Sequence, residues 1–324
     1  MKAAGRLTAP HEDMKRLSII LICSLLGLAT AVASTVGTVY KPHHSQSGIT
    51  KTDELKEVLS LIAAEHPTVG ICVITESDTI CINEDEDFAM MSVVKLYQAV
   101  AIATTLYNAR ETFALDVKVT RDDLPTNTWS PLAREDRPDE FWMPVEQLLA
   151  YTLQKSDNNA CDVLFERISI PKETEDQIKR LDLPGRYGVE VTESDQVDWP
   201  PCDILNFCSP LSAASLIDRI FNGTIASDEM QGKIQLLLSG NKMGDDRIMK
   251  PLRDTGAIVA HKTGTGWEKD GYVTATNDVA HVILPNGDSY SLAVLISNFK
   301  GTMKEANAVV AKVSEVVYKT LASV

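Results

Sequence analysis

The chain has 324 residues, 44% of them hydrophobic and 23% charged, and a formal net charge of -14. This is the composition of a globular protein long enough to bury a sizeable core. The acidic balance argues against a nucleic-acid partner, because phosphate recognition needs clustered Lys and Arg.

At the N-terminus, Lys15 and Arg16 precede an apolar run from Leu17 to Leu28, followed by Ala31, Val32 and Ala33. That layout reads as a signal peptide over residues 1–33, with Met14 as the start and 1–13 as an extension. The run is too short for a comfortable membrane span. The expectation is therefore a periplasmic protein without a stable membrane anchor. Ile22 disfavours a lipoprotein site at Cys23. Residues 34–51 read as a polar tether.

From residue 52, Leu55, Val58, Leu59 and Ile62 fall on one helical face, with Thr52 or Asp53 as cap. "VGICVITESDTICIN" reads as two strands around a turn at Ser77-Asp78. Helical patterns then dominate to about Gly240. Further strands follow in "TGAIVAHKTGT", "YVTATNDVAHVILP" and "YSLAVLISN", with Asn286-Gly287 as a hairpin turn. A last amphipathic helix carries Val309, Val313, Val316 and Val317. Strands at both ends and helices between them predict an α+β fold. One antiparallel sheet would draw on both chain ends, with flanking helices and an inserted all-helical lobe, in three layers. The expected division is a catalytic domain over 52–324, with an α/β lobe of 52–91 and 241–324 and a helical lobe of 92–240. A site would form in the cleft between the lobes.

Five cysteines follow the leader: Cys72, Cys81, Cys161, Cys202 and Cys208. Cys72 and Cys81 flank the predicted hairpin turn and could face each other, but buried free thiols are the preferred reading. Neither cysteines nor histidines show metal-ligand spacing, so no metal or other cofactor is expected.

Three segments carry polar groups suited to chemistry. In "FAMMSVVKLYQAV", Ser92 and Lys95 are three apart, neighbours on one helical face. Burial disfavours an ammonium, which makes such a lysine a plausible proton acceptor. Ser156-Asp157-Asn158 precedes an apolar helical run, and alone would be an ordinary helix cap. Lys262-Thr263-Gly264 lies in a strand, and alone would be a strand nearing a bend.

Together, in this order, SxxK, SDN and KTG resemble the class A β-lactamases. "NTWSP", "SDNNACDVLFE", "AHKTGT" and "TATND" look most like the PER-type and Bacteroides-type extended-spectrum branch. The resemblance runs from about Thr52 to Leu321. It implies hydrolysis of a β-lactam amide through an acyl group on Ser92, with small β-lactams as partners and a monomeric enzyme. Glu193 matches the loop glutamate that activates water; Glu190 and Asp195 are competitors, and Glu166 reads as an exposed helix position. The Ser92 proton passes to Lys95, or through water to Glu193. Ser156 and Lys262 would serve the departing nitrogen, Asn158 the substrate amide, and Thr263 and Thr265 its carboxylate. Gly264 belongs to the same strand motif, and Trp129 would edge the cleft.

Departures from the resemblance are informative. Where the family usually has a water-holding Asn four residues after the Glu, this chain has Val197. The usual loop-bracing Arg and Asp are replaced by Val191 and Asn206. Tyr272 replaces an Arg common after KTG, and Arg247 would supply that charge. Met91 and Gly266 rule out the carbapenemase-type disulfide. The alternatives are a D-alanyl-D-alanine carboxypeptidase or transpeptidase, and a β-lactam sensor that acylates once.

Overall fold

The computed structural model describes residues 50–198 and 205–322, with side chains described up to 196 in the first stretch. The leader at 1–33, the tether apart from its end, Cys202 and the Val197 side chain lie outside the described part.

Helix α1 (Lys51–Glu65) leads into β1 (Val69–Ile74), β2 (Thr79–Ile82) and the short β3 (Phe88–Ala89). A 3-10 turn at Met91–Val93 opens α2 (Val94–Ala109). Next come β4 (Asp116–Thr120), β5 (Glu140–Pro144), α3 (Val145–Lys155), α4 (Asn158–Arg167) and α5 (Pro171–Lys179). A winding stretch holds β6 (Tyr187–Gly188), α6 (Glu193–Asp198) and β7 (Phe207–Cys208). Helices α7 (Pro210–Asn222) and α8 (Asp228–Ser239) precede β8 (Ile258–Thr265), β9 (Glu268–Lys269), β10 (Tyr272–Ile283), β11 (Ser289–Lys300) and α9 (Met303–Leu321).

The expected sheet is present, ordered β2-β1-β11-β10-β8, with β9 also on β10 and every pairing antiparallel. Its two twelve-residue strands, β10 and β11, are buried along most of their length. Helices covering both faces explain why they read as apolar runs rather than alternating ones. Between them the Asn286-Gly287 turn closes with Gly287 at φ +95°, a conformation glycine adopts without a Cβ clash.

Alternation along β1 sorts the two cores. Ile71 and Val73 join Leu55 and Leu59 of α1 and Val310 and Val313 of α9 on one face. Cys72 points to the other face, among Ala213 and Leu216 of α7, Ala293 and Leu295 of β11, and the helix α2. Each such Leu or Val contributes about 1.5–3 kcal/mol when fully buried. Helix α2 is buried without interruption from Val94 to Ala103. A helix apolar on all sides is an interior helix, so the 3-10 turn and the helix's first turn deliver Ser92 and Lys95 into the protein rather than to a free surface.

Two expectations need correction. Helix α1 is capped by Thr50, not Thr52 or Asp53; Asp53 is the third helical residue and completes a capping box by accepting from the Thr50 N–H. Cys72 and Cys81 are not free thiols but a disulfide, because antiparallel register sets them directly opposite on β1 and β2. Cys161 and Cys208 are buried and free. The disulfide closes a loop over a sequence separation of 9. Reducing it should lower unfolding free energy by about 2–3 kcal/mol, seen as a lower urea midpoint with reductant than without.

Candidate active site

The 3-10 turn before α2 holds Met91 at φ +47°, a left-handed conformation uncommon for a side chain with a Cβ. The surroundings hold this strained turn in place. Asn277 of β10 donates from Nδ2 to the carbonyls of Ala89 (2.7 Å) and Met90 (3.2 Å), and its Oδ1 accepts from the Ile296 N–H. Strand β8 passes so close that a Cβ on Gly264 would lie 2.4 Å from the Met90 oxygen. Glycine is required there by contact with the serine turn, which is more than the bend that its sequence suggests.

Lys95 is fully buried, and its Nζ donates three hydrogen bonds: to Ser92 Oγ (2.8 Å), Asn158 Oδ1 (2.8 Å) and Glu193 Oε1 (2.6 Å). All three ammonium donors are used. Asn158 begins α4, whose N-cap is Asp157. The buried Asp157 carboxylate accepts from the Ala160 N–H, the Ser130 hydroxyl and the Leu132 N–H. The segment is thus the helix cap its composition suggested and part of the site as well. Asn158 Nδ2 donates to Thr128 Oγ1, so both ends of the amide are occupied. Ser156, at φ +55°, ends α3 with its hydroxyl accepting from Lys262 Nζ at 3.0 Å. Lys262 is fully buried, and its pKa is driven well down, first by desolvation and then by the neighbouring Lys95 charge.

Glu193 opens α6 and is buried, whereas Glu190, Asp195 and Glu166 are exposed. The Asp162 carboxylate fixes it: Oδ1 accepts from the Glu193 N–H (2.8 Å) and Oδ2 from the Ser194 N–H (2.9 Å). Asn206 ties the preceding backbone, accepting from Glu190 and Val191 N–H groups and donating to the Val191 carbonyl. The loop is therefore braced by the Asp162 carboxylate and the Asn206 amide, although the Arg and Asp usual in the family are missing.

A cavity of about 750 Å3 opens over this cluster, lined among others by Ser92, Ser156, Asn158, Glu193, Thr263 and Thr265. Trp129 and Trp267 stand at its exposed rim, with Trp129 held by Nε1 donating to the Lys155 carbonyl. Arg247 does not line it. The guanidinium is buried behind β8, donating to the Gly264 and Asn277 carbonyls, Asn307 Oδ1 and Thr265 Oγ1. Its bond to the Thr265 hydroxyl, 2.7 Å, links it to a residue that lines the cavity. Among the described residues, no group of three or more His, Cys, Asp or Glu side chains is placed to hold a metal ion. A hydroxyl beside a buried amine, a carboxylate and a second amine-bound hydroxyl is an arrangement capable of acyl transfer.

Known proteins resemble this chain in sequence and in fold. A family model described as the β-lactamase enzyme family matches residues 51–321. A β-lactamase of Phocaeicola vulgatus is 36% identical over 83% of this chain and 84% of its own. The extended-spectrum β-lactamase PER-1 of Pseudomonas aeruginosa is 30% identical over 82% and 86%. A solved β-lactamase from Chitinophaga pinensis superposes with TM-score 0.78 at 27% identity, over 83% of this chain and 99% of that one. A class A β-lactamase from Bacteroides cellulosilyticus gives the same TM-score at 26% identity, over 84% and 99%. The chain belongs to the β-lactamase enzyme family, hydrolases acting on β-lactams, and has the class A fold.

Asp162, Asn277 and the Asn206 brace were not singled out as site residues from sequence. Asp162 carries a signal in retrospect: an acid inside the apolar run "ACDVLF". Burial, and then repulsion from Glu193, raises its pKa from 3.8 to about 6, against the loop N–H bonds that lower it. The unfolded chain loses this proton near 3.8 and the folded one near 6, so this group makes stability fall as pH rises across that window. Asp162→Asn cannot titrate. Its stability relative to the parent should improve by roughly 3 kcal/mol between pH 3.5 and 7, measured by urea unfolding at both pH values.

Proposed function

We propose that this enzyme opens β-lactam rings through an acyl group carried on Ser92 Oγ. The observation that carries the reading is the three-way bond of buried Lys95 to Ser92, Asn158 and Glu193. Ser92 attacks the lactam carbonyl. Its proton moves to Lys95, which is in direct contact and can first pass one of its own to Glu193, or through a water to Glu193. The backbone N–H groups of Ser92 and Thr265 receive the oxyanion, a term worth roughly 3–4 kcal/mol per donor. Lys262 donates to one lone pair of the Ser156 oxygen, which leaves that hydroxyl's hydrogen free for the departing nitrogen. Thr263 and Thr265 bind the substrate carboxylate, and Arg247 orients Thr265 from behind. Asn158 meets the substrate amide, and Trp129 walls the cleft. Glu193 then activates the water that releases the product.

Two lobes, 52–91 with 241–324 and 92–240, are the proposed frame for this cleft; one apolar cluster spans both, joining Cys72, Ala293 and Leu295 of the sheet to Ala213 and Leu216 of α7. The proposed unit is a monomer, since one chain supplies the whole cluster. Periplasmic export fits the Cys72–Cys81 disulfide, which an oxidising compartment favours. No described helix is long and apolar enough to cross a membrane. N-terminal sequencing of exported protein should begin at Ser34; a retained Leu17–Leu28 run would overturn export by cleavage.

Glu193→Gln should still acylate but release product at least a hundredfold more slowly, so that mass spectrometry after penicillin treatment finds the adduct on Ser92. Parent-like turnover in this variant would remove Glu193 as the base. Stoichiometric trapping by the parent itself would favour the carboxypeptidase or sensor reading.

A further inference from the structure

Gln196 follows Glu193 by three residues in α6, and both line the cavity with Ser92 and Asn158. That spacing sets two side chains on one side of a helical turn. The Gln196 Nε2 is buried and has no hydrogen-bond partner among the described residues. A buried donor without an acceptor costs free energy comparable to a lost hydrogen bond, and native proteins rarely leave one. Glu193 has the complementary need: Lys95 takes its Oε1, and its other carboxylate oxygen has no partner among the described residues. A small molecule that accepts from an amide and donates to a carboxylate would satisfy both groups, and water does so.

We propose that Gln196 is a positioning residue for deacylation, holding through Nε2 the water that Glu193 activates. The inference rests on the acyl-enzyme reading above. In this step Glu193 takes one proton from the water while its oxygen attacks the ester carbonyl carbon. The tetrahedral intermediate collapses, the bond from that carbon to Ser92 Oγ breaks, and Oγ regains the proton. The product leaves with the water's oxygen in its carboxyl group, and Gln196 is unchanged throughout. By donating to one lone pair, the amide leaves the other aimed at the carbonyl carbon, which is an orientational contribution. During acylation the attacking atom is Ser92 Oγ and Lys95 Nζ is in direct contact with it at 2.8 Å, so along that direct route the step needs neither the water nor Gln196. The neighbouring Val197 has an aliphatic side chain with no group to offer a water.

The test is Gln196→Leu in the full chain, followed by stopped-flow and quenched mass spectrometry with nitrocefin. Deacylation should fall at least tenfold with acylation within twofold of the parent, so that the acyl-enzyme accumulates. Gln196→His, which restores an N–H donor, should recover part of the deacylation rate. Should the leucine variant be unstable, Gln196→Met carries the same expectation. Unchanged deacylation, or acylation falling in proportion, would overturn the proposal, the latter pointing to a contact with substrate instead. Glu193→Gln is run alongside. If it turns over without accumulating an adduct on Ser92, Glu193 is not the deacylating base and the reading on which the proposal rests falls; if it traps and Gln196→Leu does not slow release, only the role of Gln196 falls.

Discussion

The structure depends on keeping an ammonium group inside a protein. Lys95 lies in the first turn of a helix buried on every side, where an unpaired charge would cost several kcal/mol. Its three acceptors come from three separate parts of the chain, and none can be displaced without leaving a donor unmet. This requirement draws the start of α4 and the loop bearing Glu193 onto the serine turn. Fold and chemistry are thus specified by the same contact. Burial first, and then the charge of neighbouring Lys95, drives the Lys262 pKa well down.

A second requirement concerns rigidity. The serine turn contains a left-handed methionine, and strain of that kind persists only where neighbours over-determine it. Asn277 grips the backbone just before the turn with its amide, and Gly264 lets the sheet press directly against it. Asp162 and Asn206 do the same for the loop by binding backbone groups rather than side chains. In each case a polar side chain on a regular element sets the position of an irregular one, so that reacting groups are held by the scaffold.

Much of this was legible in the sequence. Periodicity located the sheet strands and the terminal helices, and the three short motifs marked Ser92, Lys95, Ser156, Asn158 and Lys262, which the fold gathers at one cavity. What escaped was long-range. The loss of a bracing Arg and Asp reads as a missing ion pair, but one Asn amide can both accept from and donate to backbone, and does so 15 residues away. Arg247 in "GDDRIMK" gives no hint that its guanidinium turns inward onto strand carbonyls. The disulfide depends on cross-strand register, which the spacing of Cys72 and Cys81 left open.

Strand β8 ends the sheet on one side. An edge strand leaves backbone donors and acceptors unclaimed, and in most proteins this invites pairing with a stray chain and aggregation. Here the end of that edge, Thr263 to Thr265, faces a recess whose rim carries two tryptophans. Along the same strand the His261 carbonyl accepts from Asn241 Nδ2 and the Thr263 carbonyl from Lys262 Nζ. Side chains thus take up carbonyls that a stray strand would need, so this edge offers a poorer template for pairing than a bare one.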